Sequence, residues 1–262
     1  MRRILIRLAY DGSGFHGWQV QPGLPTIQGT LEEILSAMDG RPVHVAGSGR
    51  TDAGAHALAQ VAAFSLQNPI PLANLERAVN RLLPPAIRIL SAGEAPPDFH
   101  PRFDASVKTY EYRIVRSPVC GPFDWPYVHH YPYPLDEDRM ARLARIFEGE
   151  HDFSAFAAAD DRDAEGHSKV RTLFSSLLER TPGRLTYRVR GSGFLKHMVR
   201  NLVGTLIEAG RGNLSADVFP TRSGPTVPAK GLFLVGVEYA GRPAGPGRTN
   251  ADCGYNGLED DG

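Results

Sequence analysis

The stretch Gly47-Ser48-Gly49-Arg50-Thr51-Asp52-Ala53-Gly54-Ala55-His56 sets one carboxylate near an arginine and among three glycines, between two apolar segments. Glycines let a substrate approach the backbone closely. A neighbouring guanidinium can lower a carboxylate's pKa, contact a phosphate or stack on a base. An ionised Asp52 in such a loop is a candidate nucleophile or base. The same pattern also suits an Asx-turn, in which Asp52 does no more than accept backbone N–H bonds. Asp52 and His56 offer an acid–base couple as well, although His56 leads into an apolar run where packing explains it equally.

Two further segments carry chemistry. In Lys108-Thr109-Tyr110-Glu111-Tyr112-Arg113 the alternation puts Lys108, Tyr110 and Tyr112 on one face of a strand. Such tyrosines serve either as core or as a platform on which a base stacks, a contact that stabilises by about 1–3 kcal/mol. From Phe194 to Ala209, helical spacing gathers Leu195, Met198, Val199, Leu202, Val203 and Leu206 into an apolar stripe, with Lys196, Arg200 and Gly204 along another face. Arg200 therefore leaves a well-anchored helix either into solvent or into a cleft. Gly12-Ser13-Gly14-Phe15-His16-Gly17 matches a dinucleotide fingerprint, but the extended, proline-stopped residues after it cannot supply the helix N-terminus that pyrophosphate requires. Cys120 and Cys253 are far apart and have no ligand-spaced neighbours, so neither a disulfide framework nor a zinc site is expected.

These residues need elements to hold them. A strand over 4–10, a helix over 27–40, strands over 43–46 and 60–66, a helix over 72–83 and a strand over 87–90 make a β-α-β-β-α-β unit, closed by a Pro/Gly-rich linker at 92–101. A similar order follows: strand 108–115, a loop bearing Trp125, helix 135–147, strands 170–178 and 185–190, helix 194–209 and strand 232–239. The expected fold is α+β, with two similar halves, largely antiparallel sheets and a cleft between them. The expected division is 1–104 with the Asp52 loop, 105–240 with Tyr110 and Arg200, and a disordered acidic tail at 241–262.

The 262 residues are 42% hydrophobic and 22% charged, enough apolar material for folded domains rather than a disordered chain. No run of about eighteen apolar residues suggests a membrane span, and the start lacks a signal-peptide pattern, so a reducing cytoplasm is expected. Basic and acidic residues balance at 29 each, but Arg184 to Arg222 holds seven basic residues against two acids. That stretch either meets phosphates or is an ordinary solvated face.

Together these segments resemble the TruA family of tRNA pseudouridine synthases. The resemblance rests on Tyr10-Asp11-Gly12 to Gly17-Trp18-Gln19, on Gly49-Arg50-Thr51-Asp52-Ala53-Gly54-Ala55-His56-Ala57, on Lys108 to Arg113, on His151-Asp152-Phe153-Ser154-Ala155-Phe156, and on Gly193-Phe194-Leu195 through His197-Met198-Val199-Arg200-Asn201 to Gly210-Arg211-Gly212. It spans about residues 3–240, with Ala55 where the family commonly has valine. It implies an isomerase that cleaves the N1–C1′ bond of uridine in tRNA, turns the uracil and rejoins it through C5, acting at positions 38, 39 and 40 of the anticodon stem-loop. By the same resemblance Asp52 is the essential residue, Arg200 pairs with it, Tyr110 stacks on the base, and Arg50 fills the space that the flipped base vacates. The implied partner is tRNA, bound across a homodimer, with no cofactor and no membrane. Two other readings are an inactive RNA-binding module of the same fold and a small-molecule hydrolase using Asp52 and His56.

Overall fold

A computed structural model of the chain describes residues 1–159, 168–215 and 219–241. Its elements are β1 (Arg2–Tyr10), α1 (Ile27–Asp39), β2 (Ala46–Gly47), β3 (His56–Leu66), α2 (Leu72–Leu82), β4 (Ile87–Glu94) and β5 (Ala105–Val115), followed by β6 (His129–His130), α3 (Glu137–Ile146), β7 (Gly149–Asp152), β8 (Val170–Thr181), β9 (Arg184–Gly191), α4 (Met198–Gly210) and β10 (Leu232–Tyr239). The expected elements recur in the expected order, with two short strands, β6 and β7, that were not expected. The fold is α+β with two similar halves, but they share one sheet of order β4-β1-β3-β10-β5-β9-β8-β7, with β2 beside β3 and β6 beside β5.

Alternation explains how the N-terminal half is layered. Ile4, Ile6, Leu8 and Tyr10 of β1 enter the core that holds Ile27, Leu31 and Leu35 of α1. Burying each such leucine or isoleucine stabilises by about 2 kcal/mol. Leu5 points the other way and packs with Val61, Ala63 and Phe99, so the linker covers the second face. Thr26 starts α1 by accepting a hydrogen bond from the Gly29 N–H, and Gly40, left-handed at φ 70°, ends it. In the second half Asp136 caps α3 in the same way, through the Arg139 N–H. Leu143 of α3 and Leu202 and Leu206 of α4 belong to the same core as α1.

Strand β4 runs on to Glu94, into the expected linker, β5 starts at Ala105, and three other boundaries differ from expectation in ways that bear on the site and core. No strand runs over 43–46; only Ala46 and Gly47 pair, with Ala63 and Ala62. Val43 and Val45 are buried all the same, so their apolar character reflects core and not a ladder. Strand β3 starts at His56 and not at Gln60, because β1 pairs with it from Ala57 and β10 from His56. Helix α4 starts at Met198 and not at Phe194, since His197 takes a left-handed backbone at φ 63° that no helix accepts. Apart from Gly241, the expected tail lies outside the described residues.

The register of β10 places the site. It runs parallel to β3, pairing Phe233 with His56, and antiparallel to β5, pairing Leu234 with Tyr110. One strand therefore separates Tyr110 from the end of the Asp52 loop.

Candidate active site

The Asp52 loop is shaped by close backbone approaches. A Cβ at Gly12 would lie 2.0 Å from the Ala55 carbonyl oxygen, and one at Gly17, whose φ is +87°, would lie 2.7 Å from that of Thr51. A Cβ at Gly47 would strike the Trp18 indole at 2.5 Å. The Gly12–Gly17 segment is thus no nucleotide cradle; its glycines make room for the loop. Hydrogen bonds complete the fit. The Trp18 N–H donates to the Thr51 carbonyl at 3.1 Å, the Tyr10 and Thr51 hydroxyls are 2.8 Å apart, and Gln60 Nε2 donates to the Gly49 carbonyl at 2.9 Å. Burial pushes the Tyr10 phenol up to about 12 despite these bonds, so it remains a neutral support.

Arg200 comes from the other half. Its Nη1 donates to Asp52 Oδ2 at 2.8 Å and its Nε to the Val227 carbonyl at 2.7 Å. The two side chains are 15% and 20% exposed, so the pair is only partly in water, where such contacts are strong. The segment carrying Val227 is pressed onto α4 where both have glycine, Gly224 and Gly204: a Cβ at Gly204 would lie 1.8 Å from the Pro225 carbonyl oxygen. Nearby, the Gly224 N–H donates to the Thr205 hydroxyl and Thr226 to Asn201 Oδ1, which fixes this segment along the helix. The small residue expected on Arg200's row therefore admits the segment that orients Arg200.

Tyr110 is buried, its ring edge-on to Phe194 at 5.0 Å. Burial, and after it the charges of Tyr10 and Asp52, raise its phenol pKa well above the ordinary value, so it is a neutral hydroxyl close to the carboxylate. Asp52, Tyr110 and Arg200, singled out from separate parts of the sequence, come together. Arg50 does not join them; it is exposed and makes no hydrogen bond or ion pair among the described residues. His56 turns elsewhere too: its Nδ1 accepts from the Gly12 N–H, Asp11 lies 3.2 Å away, and its ring stacks on Phe233. That supports the packing role over the couple with Asp52.

One neighbour was not anticipated. His197 Nε2 lies 3.7 Å from Asp52 Oδ2, the oxygen that Arg200 already holds. Desolvation lowers its pKa against the opposing pull of Asp52, which favours a neutral imidazole. The clue available was its place one turn before Arg200; its left-handed backbone left none. The basic stretch also reads differently in three dimensions. Arg184 pairs with Asp124, Arg188 with Glu111, Arg190 with Glu238 and Arg211 with Glu208. Much of its charge is thereby answered within the chain. Among the described residues no three His, Cys, Asp or Glu side chains gather as a metal site, and no helix is long and apolar enough to cross a membrane.

Comparison with known proteins agrees with this geometry. A family model described as tRNA pseudouridine synthase matches residues 7–104 and 143–240, one segment in each half. The chain is 76% identical over 240 residues to a protein of Solibacter usitatus named tRNA pseudouridine synthase A, covering 91% of this chain and all of that protein. Proteins of the same name from Caldicellulosiruptor bescii and Geotalea uraniireducens are 39% and 43% identical, again over 91% of this chain and the whole of each relative. A carboxylate held by an arginine beside a buried tyrosine, in a fold that the family model matches in both halves, leads to one conclusion: the chain belongs to the tRNA pseudouridine synthase family, isomerases that form pseudouridine in tRNA.

Proposed function

We propose that this enzyme modifies uridines 38, 39 and 40 in the anticodon stem-loop of tRNA, with Asp52 as its catalytic carboxylate. The observation that carries this reading is the 2.8 Å contact between Arg200 and Asp52 Oδ2, next to the buried Tyr110. Arg200 fixes one carboxylate oxygen and leaves the other to the substrate. The target nucleotide must leave its stack to reach it, at a cost of a few kcal/mol. The N1–C1′ bond then breaks with its electron pair passing to the uracil. Asp52 either adds to C1′ or removes the 2′ proton to give a glycal. The uracil turns and C5 bonds to C1′ as Asp52 leaves C1′, or as the 2′ proton returns to the glycal; the C5 proton is then lost and N1 gains one, so the product is an isomer and no external reagent is consumed. The Tyr110 ring supports the base during the turn, and its hydroxyl is placed to assist the proton transfer.

Arg50, exposed at the edge of the loop, enters the space left in the RNA stack. The halves 1–104 and 105–240 act as the two walls of one site, and two copies of the chain form a cytoplasmic homodimer across which tRNA binds. The test is to incubate the protein with unmodified tRNA transcripts and map pseudouridine at nucleotide resolution, with Asp52→Ala in parallel. Product at 38–40 from the native protein alone is expected. Product elsewhere overturns the assigned positions, and equal product from the variant overturns the role of Asp52. Sedimentation equilibrium tests the dimer, which a monomer at micromolar concentration overturns.

A further inference from the structure

Among the described residues Lys108 is a charge without an answer. It is 9% exposed, on the inward face of β5 that it shares with Tyr110 and Tyr112. Among the described residues its ammonium has no carboxylate within ion-pair distance and no hydrogen-bond acceptor. The charges that act on it are Arg102 and Arg171, both positive, and together with burial they push the amine down to about 8. Burying an ammonium with no compensating partner is costly. The arginines of β9, by contrast, face glutamates.

The position of this amine points to its use. A Cβ at Gly49 would lie 3.8 Å from Lys108 Nζ and 3.6 Å from the Tyr110 hydroxyl, so the amine, the phenol and the backbone leading to Asp52 line one wall. Gly49 leaves that wall open to close approach, and the exposed Arg50 follows it. We infer that Lys108 anchors an anion subsite, where its ammonium takes a backbone phosphate of the RNA strand that carries the target uridine. Phosphates are the anions an RNA strand offers at every nucleotide, and a largely buried ammonium whose charged neighbours are cations gains from one. The inference rests on the proposed seating of the target nucleotide at Asp52 and Tyr110.

The test compares Lys108→Met and Lys108→Arg with the native chain, measuring tRNA dissociation constants across a salt series and turnover at saturating tRNA. Lys108→Met should weaken binding about tenfold and reduce the slope of log K against log salt by about 0.7, the share of one phosphate on a single strand. Turnover at saturation should stay within about threefold of native, and Lys108→Arg should keep the slope. Melting of Lys108→Met at or above the native temperature would show that the amine is not retained for stability. Transcripts with single neutral methylphosphonate linkages near the target locate the contact. One linkage should weaken native binding about fivefold and leave Lys108→Met indifferent.

Unchanged affinity and slope in Lys108→Met overturn the inference, and so does lost turnover with unchanged binding, which would place the amine on the reacting base. If Lys108→Met fails to fold, the methylphosphonate series on the native chain and Lys108→Arg still decides, since no linkage effect at any position is fatal to the idea. Native protein that binds transcripts but forms no pseudouridine would count against the proposed function and leave the subsite standing.

Discussion

The two partners of the central ion pair are positioned in opposite ways. Asp52 sits on a loop that owes its course to missing side chains at Gly12, Gly17 and Gly47, each of which admits another backbone or ring. Arg200 sits on a helix buried along most of its length, and its guanidinium is turned by a single carbonyl of a segment lying across that helix. A loop can hold a carboxylate accurately when its neighbours give way to it. A helix brings accuracy by packing and needs only the last bond to be set.

This contrast can be broken from either side. Asp52→Ala should lower turnover more than about a thousandfold while the protein stays folded and binds tRNA, measured by single-turnover pseudouridine formation. Arg200→Lys keeps the charge but cannot make both the Asp52 and the Val227 contacts, so turnover should fall about a hundredfold with little change in melting temperature. Gly12→Ala and Gly204→Ala each push a methyl group into a carbonyl and should cost about 2–3 kcal/mol in denaturant unfolding. If the comparison holds, Gly12→Ala also loses turnover by displacing Asp52, and Gly204→Ala loses it by moving Val227 from Arg200. Equal turnover per folded molecule in either variant would show that side not to depend on its glycine. Tyr110→Phe keeps the ring against Phe194 and should reduce turnover about tenfold or less; no reduction would limit Tyr110 to stacking.

The smallest effect concerns pH. His129 is held down to about 4, first by desolvation and then by Lys230 and His130. The unfolded chain takes up this proton near pH 6.5 and the folded chain only near 4, so stability is complete above 6.5 and declines as the pH falls through that window. His56 in the first half is lowered as well, mainly by burial. Melting temperature should drop between pH 6.5 and 4.5, and His129→Gln should flatten the drop.

The sequence exposed most of the element order and three residues of the candidate site because those features follow from local rules. Strand alternation placed Tyr110 inward, helical spacing separated Arg200 from the apolar stripe, and the glycines marked the Asp52 loop as a place of close approach. What stayed hidden depends on distant partners. Nothing near Arg188 says that Glu111 lies beside it, so a local excess of positive charge looked like a phosphate surface. Nothing near Gly12 says that Ala55 needs its space, so a supporting segment resembled a nucleotide motif. His197 was hidden by a backbone angle that its residue type rarely adopts.

The placement of β10 bears on how the protein is made. Among the described residues it is synthesised after every other strand, yet it is inserted between β3 and β5 rather than added at an edge. Until residue 239 emerges from the ribosome the sheet is split, with two long unpaired rims of the kind that invite pairing with other chains. A chain stopped just before Leu232 would lack one strand yet lose the join between its halves, and should aggregate rather than keep partial activity. The site is therefore complete only once β10 is in place, because that strand joins the half carrying Asp52 to the half carrying Tyr110 and Arg200.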